Sequence, residues 1–133
     1  MIIRDTMGTH PEAYFALQRF IPSITNGEVR TLVAGGKIIG SYRRRPAKGI
    51  RANLSAEGQA TPVQDQDVDT HLINKVLSHL HRRGIGYAAI DTVDGYLLEV
   101  NLANPGGLGT LSTIYQHDLG EKVVRAIAAQ HNL

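Results

Sequence analysis

Residues 28–45, EVRTLVAGGKIIGSYRRR, form the clearest β-hairpin pattern of the sequence. Two strand-like runs flank the Gly-Gly pair at 35–36, which is typical of a two-residue primed turn. Because side chains alternate along a strand, an unbroken register from this turn places Arg45 on the face of Arg30 and Arg44 on the opposite face. The stretch therefore predicts an antiparallel strand pair with an arginine pair on one face.

A second hairpin pattern, residues 88–109 (AAIDTVDGYLLEVNLANPGGLG), carries oxygen-bearing side chains on its strands. Glu99 and Asn101 are two residues apart and leave the same face of a strand. Hard divalent cations such as Mg²⁺ take oxygen ligands, often carboxylates together with phosphate oxygens of a substrate. Asp91, Glu99 and Asn101 are thus candidate metal ligands. The alternative is a surface hairpin with scattered polar residues.

The turn of this second hairpin decides whether Asp91 joins the other two ligands. A simple two-residue turn places Asp91 opposite Leu98, on the wrong face. A three-residue loop at 93–95, with Gly95 left-handed in a bulge, pairs Thr92 with Tyr96 instead and brings Asp91 to the common face. The metal hypothesis therefore predicts the bulged loop.

The remaining patterns predict one further strand and two helices. Residues 13–21 are apolar enough for a buried strand that ends before Pro22. Residues 67–83 have an amphipathic helical stripe with Asp65 or Asp67 as the N-cap, and residues 118–130 have a second stripe. The element order predicts an α+β fold, a mainly antiparallel sheet with helices packed on one face, in a single domain of residues 1–133.

Composition restricts the classes of function. Cysteine is absent, which excludes disulfides, thiolate nucleophiles and zinc–thiolate sites. No run of the sequence is long enough for a membrane span, and a cytoplasmic location is the default expectation. The net charge is only +2 and aromatics make up 5%, with none interleaved in the basic cluster at 43–51, so nucleic-acid binding is disfavoured.

The long irregular stretch at 46–62 has two interpretations. Its arginine and glycine content suits a polyphosphate, and a solvated surface loop is the common alternative. The histidines at 71, 79 and 81 have no matched ligand spacing and are interpreted as solvated.

Five segments occur in an order and spacing that resemble the C-terminal part of an ATP-grasp ligase, most closely the prokaryotic glutathione synthetase family. They are QRFIPSITNGEVR (18–30), the hairpin ending in RRRP (43–46), RANLSAEG (51–58), the helix at 67–83 and IDTVDGYLLEVNLANPGG (90–107). The resemblance runs from about residue 15 to residue 111. It implies a C-terminal ATP-grasp fold with an ATP-binding site.

The resemblance also implies roles for individual positions. Arg30, Arg45 and Arg51 correspond to arginines near the transferring phosphate, with Arg44 as an alternative because the family's Arg-x-Pro spacing falls there. The face argument from the hairpin favours Arg45. The positions implied in nucleotide and metal binding are Gln18, Arg19, Phe20 and Ile21 for adenine, Glu28 for ribose, Asn53 in the R-x-N segment, Asp91, Glu99 and Asn101 for Mg²⁺ or Mn²⁺, and the loop 104–107 on the substrate side.

The family's chemistry implies ATP as co-substrate and a small carboxylate and amine as partners. In glutathione biosynthesis the carboxylate of γ-glutamylcysteine attacks ATP, and glycine displaces phosphate from the resulting acylphosphate. Family members are more than twice as long as this chain and have a second wall around the nucleotide. We therefore expect either a ligase completed by a separate N-terminal chain, inactive alone, or a non-catalytic nucleotide-binding or oligomerising remnant of the fold.

Overall fold

The computed structural model describes residues 14, 18–45 and 59–132. Within these, five strands form one sheet of order β3-β2-β1-β4-β5, and every neighbouring pair is antiparallel. The strands are β1 (Glu28–Ala34), β2 (Lys37–Arg45), β3 (Gln59–Pro62), β4 (Tyr87–Val93) and β5 (Tyr96–Asn101). The central strand β1 is buried from Val29 to Ala34, because it is paired on both edges and covered on both faces.

Three α-helices pack on this sheet: α1 (Thr70–Arg82), α2 (Leu108–Tyr115) and α3 (Gly120–Gln130). Helix α1 begins at its N-cap Asp69, whose carboxylate accepts a hydrogen bond from the Leu72 amide at 2.9 Å. Asp65 and Asp67, the caps expected from sequence, lie instead in a short 3₁₀ turn before the helix. Neither α1 nor any other helix of the described residues is long and apolar enough to cross a bilayer.

The α+β class and the antiparallel sheet are confirmed, but the expectation of helices on one face is wrong. Helix α1 packs through Ile73, Leu77 and Leu80 on the face formed by Val33, Ala88 and Ile90. The opposite face, with Leu32 and Ala89, is covered through Leu111 of α2 and Val123 and Ala126 of α3. Alternation explains both cores, because consecutive residues of β1 and β4 supply apolar side chains to opposite faces.

The first hairpin has the expected Gly-Gly turn, and both glycines have positive φ (54° and 73°). Its register then shifts, because Leu32 pairs with Gly40 rather than with Ile39. Gly40 is needed at this position, since a Cβ there would lie 2.8 Å from Leu111 of α2. The shift is a β-bulge, which adds one residue to β2 and inverts the faces of all residues after it.

Because of this bulge, the arginine that shares a face with Arg30 differs from the predicted one. Arg30 pairs with Tyr42, and Arg44 therefore lies on the face of Arg30, whereas Arg43 and Arg45 lie on the other. The unbroken register assumed from sequence, which favoured Arg45, is wrong.

The second hairpin is also bulged, but not where the sequence suggested. Its turn has two residues, Asp94 and Gly95, both with positive φ (49° and 76°). The predicted pairing of Thr92 with Tyr96 is wrong, since Thr92 pairs with Leu97 and Asp91 with Glu99. The extra residue is Leu98 in β5. The three predicted ligands therefore share a face because of a bulge within the strand and not because of a three-residue turn.

The strand predicted at 13–21 is not formed by its described part. Residues 18–21 are irregular and precede a 3₁₀ turn, Pro22–Asn26. The rest of that prediction, apart from residue 14, lies outside the described residues.

Candidate functional site

The sheet face that carries the α2 and α3 core continues into charged side chains toward the start of β1. On β1, Leu32 and Ala34 belong to the core, and the preceding residues on the same face are charged. Cross-strand pairing brings further polar residues from β2, β4 and β5 to this region. We call the set the charged patch: Glu28, Arg30, Arg44, Asp91, Glu99 and Asn101.

A bidentate ion pair between Arg30 and Asp91 lies at the centre of the charged patch. The two residues are directly opposite in β1 and β4. Nε of Arg30 donates to Oδ1 of Asp91 at 2.8 Å and Nη2 donates to Oδ2 at 2.7 Å. The side chains are only 9% and 2% exposed, so the pair is shielded from water. The hydrogen bond to Asp91 raises the pKa of Arg30 above its ordinary value, although burial acts against this.

Arg44 extends the pair into a chain of alternating charges. Its guanidinium forms a salt bridge with Glu28, its cross-strand partner, and Nη2 also lies 3.6 Å from Oδ2 of Asp91. The Arg44 side chain is 40% exposed, in contrast to Arg30. One arginine of the charged patch is therefore accessible to a ligand from solvent, and the other is held inside.

The three predicted metal ligands are brought together on this face. Asp91 is directly opposite Glu99, and Asn101 follows Glu99 by two residues on the same face. Directly paired Cβ atoms in such a ladder are about 4.5–5.5 Å apart, within reach of a shared cation. The donor set consists of oxygen atoms, which suits Mg²⁺ or Mn²⁺. Within the described residues, no group of three His, Cys, Asp or Glu side chains is close enough to hold a metal.

Asp91 limits this fit, because both of its oxygens already accept hydrogen bonds from Arg30. A carboxylate has about four lone-pair sites, so Asp91 retains acceptor capacity beyond those two bonds. Glu99 is exposed and Asn101 is partly exposed. The oxygen donors fit a divalent cation in chemical type, with Asp91 shared between the cation and an arginine.

The segment expected to hold adenine lies beside the bulge of β5. Nε2 of Gln18 donates to the carbonyl oxygen of Leu98, the bulge residue, at 3.4 Å. Arg19 is exposed, and Phe20 is 71% exposed. Ile21 is half-buried at the start of the 3₁₀ turn. The segment thus presents an open apolar surface next to the charged patch.

Of the three other predicted positions, only Arg45 belongs to the described residues, and it stands apart from the charged patch. Arg45 is exposed on the opposite face, where its Nε donates to the carbonyl oxygen of Asn26 at 3.3 Å. Arg51 and Asn53 lie outside the described residues, as does most of the long 46–62 stretch.

Sequence reasoning missed a contact that fixes the loop after β5. Tyr42 is buried opposite Arg30, and a Cβ on Gly107 would lie 2.5 Å from the Tyr42 hydroxyl. Gly107 has a φ of +112°, which an L residue rarely adopts, and it caps α2. The Pro-Gly-Gly motif at 105–107 was a usable signal for a special backbone conformation, but its contact with Tyr42 depends on the bulge in β2.

Three cavities among the described residues lie away from the charged patch. One of about 660 Å³ is lined by polar residues around the start of α1, including Arg43 and Asp67. One of about 510 Å³ lies between the turn of the first hairpin and α1, and one of about 380 Å³ is lined mainly by apolar residues of β2 and the segment around α2. None of these three is lined by a residue of the charged patch.

Comparisons with known proteins agree with this fold. The family profile described as prokaryotic glutathione synthetase, ATP-grasp domain, matches residues 1–116. Glutathione synthetase of Pseudomonas aeruginosa is 30% identical over 131 residues, which is 97% of this chain and 41% of the relative. That of Vibrio vulnificus is 30% identical over 128 residues, 95% of this chain and 40% of the relative. The chain thus spans about two fifths of the length of these relatives.

Solved structures show the same fold at lower identity. D-alanine–D-alanine ligase from Bacillus anthracis, complexed with ATP, has a TM-score of 0.60 at 16% identity, covering 98% of this chain and 48% of that structure. An ATP-grasp ligase complexed with a minimal precursor has a TM-score of 0.53 at 18% identity, covering 78% and 34%. With the profile matched across most of its length, this chain belongs to the prokaryotic glutathione synthetase ATP-grasp domain family.

Proposed function

We propose that this chain forms the phosphate- and metal-facing wall of the ATP site in a carboxylate–amine ligase. The observation that carries the proposal is the charged patch, in which two arginines and four oxygen-bearing side chains share one face of the sheet. Phosphate binding requires positive donors, and a phosphate-bound cation requires oxygen ligands.

The roles follow from the family and from the geometry together. Arg30 and Arg44 would contact the transferring phosphate, with Arg51 as a third cation. We assign Arg44 in place of Arg45, because Arg44 shares the face of Arg30 and Arg45 does not. Asp91, Glu99 and Asn101 would hold Mg²⁺ or Mn²⁺.

The nucleoside end of ATP would lie toward the start of β1 and the segment before it. Glu28, near Arg44, would bind the ribose, and residues 18–21 would contact adenine through their open apolar surface. Asn53 would contribute from the R-x-N segment.

The reaction that suits this wall is attack of a substrate carboxylate on the terminal phosphate of ATP, followed by displacement of phosphate by an amine. A bound divalent cation supplies charge neutralisation at the phosphates. Arg30 and Arg44 stabilise negative charge on the group in transfer, and fixed donors of this kind contribute most where water is excluded. The candidate substrates are those of glutathione synthetase, γ-glutamylcysteine and glycine.

Titration calorimetry of ATP into the chain, with Mg²⁺ and then with excess chelator, tests the proposal. We expect metal-dependent binding that Glu99→Gln removes, because Glu99 is an exposed candidate ligand whose substitution leaves the core intact. Glu121→Gln is the matched control, since Glu121 is an exposed glutamate on α3. Binding that is absent, or that ignores both the metal and Glu99, would overturn the proposed wall.

A second candidate function, a non-catalytic self-associating remnant, is favoured by the apolar surface around β5. Phe20, Tyr96, Leu97 and Leu102 are between 43% and 71% exposed, and β5 is an outer strand of the sheet. Exposed apolar side chains on an edge strand promote association. Sedimentation analysis, combined with phosphate release from ATP in the presence of both substrates, distinguishes the two. A stable oligomer without phosphate release would favour the remnant.

A further inference from the structure

We propose that Arg30 is a positioning residue that withholds Asp91 from a divalent cation until the phosphates of a nucleotide draw the guanidinium away. Metal and nucleotide would then bind together, and a free cation would bind poorly. This inference rests on the proposed function. It adds that Arg30, through its ion pair, controls whether Asp91 can bind the metal.

The first step of the argument is geometric. The planar guanidinium of Arg30 matches the Asp91 carboxylate with two parallel hydrogen bonds of 2.7 and 2.8 Å. Such a fork occupies one lone pair on each oxygen in a fixed orientation. Because both side chains are more than nine-tenths buried, water does not compete for these bonds. A cation that approaches Asp91 therefore meets a carboxylate that is already engaged.

The second step is electrostatic. Nη2 of Arg44 lies 3.6 Å from Oδ2 of Asp91, the oxygen that Nη2 of Arg30 also contacts, and a free divalent cation at Asp91 would be repelled by both guanidinium groups. Arg44 is balanced by Glu28 and Arg30 by Asp91, so Glu99 leaves the charged patch with a single net negative charge before any ligand enters. A cation alone would leave the charged patch with an excess of positive charge.

The third step concerns the phosphates. A nucleotide brings several negative oxygens that accept hydrogen bonds from arginine as well as a carboxylate does. Arg44 is 40% exposed and can meet them first, and Arg30 can follow when its fork rotates toward phosphate. The cation then gains the freed oxygens of Asp91 with Glu99 and Asn101, and its charge offsets that of the phosphates. Each ligand thus favours the other, which is reciprocal coupling between two sites.

The test measures Mn²⁺ bound to the chain by equilibrium dialysis, with and without ATP. Because ATP itself chelates Mn²⁺, only the excess of metal on the protein side of the membrane is counted as bound. In the wild-type chain we expect weak binding of Mn²⁺ alone and tighter binding with ATP, by a factor in the range of about 5–150 that is typical of coupled sites. In Arg30→Gln we expect Mn²⁺ alone to bind about tenfold more tightly and ATP to add less. The double variant Arg30→Gln/Asp91→Asn should lose the gain, because the gain requires the released carboxylate.

The outcomes separate the two proposals. If ATP does not increase Mn²⁺ binding in the wild type, the proposed function fails. If ATP increases it and Arg30→Gln, shown to be folded by circular dichroism, binds Mn²⁺ alone no more tightly, only the control by Arg30 fails. Should Arg30→Gln not fold, Arg44→Gln decides, since Arg44 is partly exposed and its removal should tighten Mn²⁺ binding by a smaller factor. An unchanged affinity in that variant would overturn the inference.

Discussion

Removal of the charge on Asp91 should be among the most destabilising isosteric substitutions in this chain. Asp91→Asn keeps the size of the side chain but leaves Arg30 buried and positively charged, with an amide donor facing its guanidinium. Loss of one partner from a buried ion pair typically costs about 3–5 kcal/mol. For a domain of 133 residues, each 1 kcal/mol lowers the melting temperature by roughly 3–4 °C, so we expect a decrease of about 10–18 °C.

Removal of the arginine by Arg30→Met should cost less stability than Asp91→Asn, because the partner that remains has different charged groups around it in the two variants. In Arg30→Met, the Asp91 carboxylate still has Arg44 at 3.6 Å. In Asp91→Asn, no other carboxylate of the described residues forms a salt bridge with Arg30. The double variant Asp91→Asn/Arg30→Met should recover most of the loss, since two neutral side chains of similar size replace the pair.

Thermal unfolding followed by far-ultraviolet circular dichroism measures these differences in a chain without tryptophan. Glu121→Gln is the control. It breaks an i,i+4 salt bridge of 2.6 Å between side chains that are more than 70% exposed, and should cost no more than about 0.5 kcal/mol. If Asp91→Asn melted within about 2 °C of the wild type, in the range of this control, the assignment of a desolvated pair at the centre of the charged patch would be refuted.

Two further substitutions test the surroundings of the charged patch. Gly107→Ala should lower the free energy of unfolding by about 1–3 kcal/mol, because the added Cβ would lie 2.5 Å from the Tyr42 hydroxyl at a φ of +112°. Gly106→Ala is the control, since there is open space around that position, and it should be nearly neutral. Urea titration measures both variants. Burial raises the pKa of Tyr87, so the folded chain keeps this proton at a pH where the unfolded chain loses it, and stability is lost as pH rises above about 10. Tyr87→Phe should therefore reduce the loss of stability at alkaline pH. Tyr96→Phe is the control and should not, because the Tyr96 side chain is 54% exposed. The same dependence of stability on alkaline pH in both variants would contradict the role of burial.

The sequence was sufficient to predict the two hairpins, β1 with β2 and β4 with β5, because that information is local. Gly35 and Gly36 adopt positive φ and close the first hairpin, and Asp94 and Gly95 close the second. The amphipathic stripe similarly predicted α1 to within a few residues of its observed bounds, Thr70–Arg82. In each case the chain carries the residue type that the backbone conformation requires.

The same local information could not predict which side chains lie on which face of the sheet. The bulge opposite Leu32 brings Gly40 against Leu111, a residue 71 positions away, and no local pattern records that contact. One inserted residue moves every later side chain of the strand to the opposite face. Because the predicted register lacked this residue, it placed Arg45 instead of Arg44 on the face of Arg30. The Arg-x-Pro spacing of the family pointed to the correct face, because a family motif already contains the effect of the bulge.

The two bulges together explain how the charged patch is built on an ordinary hairpin sheet. Without the bulge in β2, Arg44 would lie on the α1 face, away from Asp91; without the bulge at Leu98, Glu99 would pair with Ile90 and lie on the α1 face as well. Both bulges lie in the strands next to the central pair of β1 and β4, which itself runs in unbroken register. The regular pair holds the buried ion pair in place, and the bulged strands turn the flanking polar side chains toward it. Bulges of this kind re-aim side chains at functional sites, and here they place an accessible arginine and the two remaining candidate ligands around a carboxylate that the core strands have already fixed.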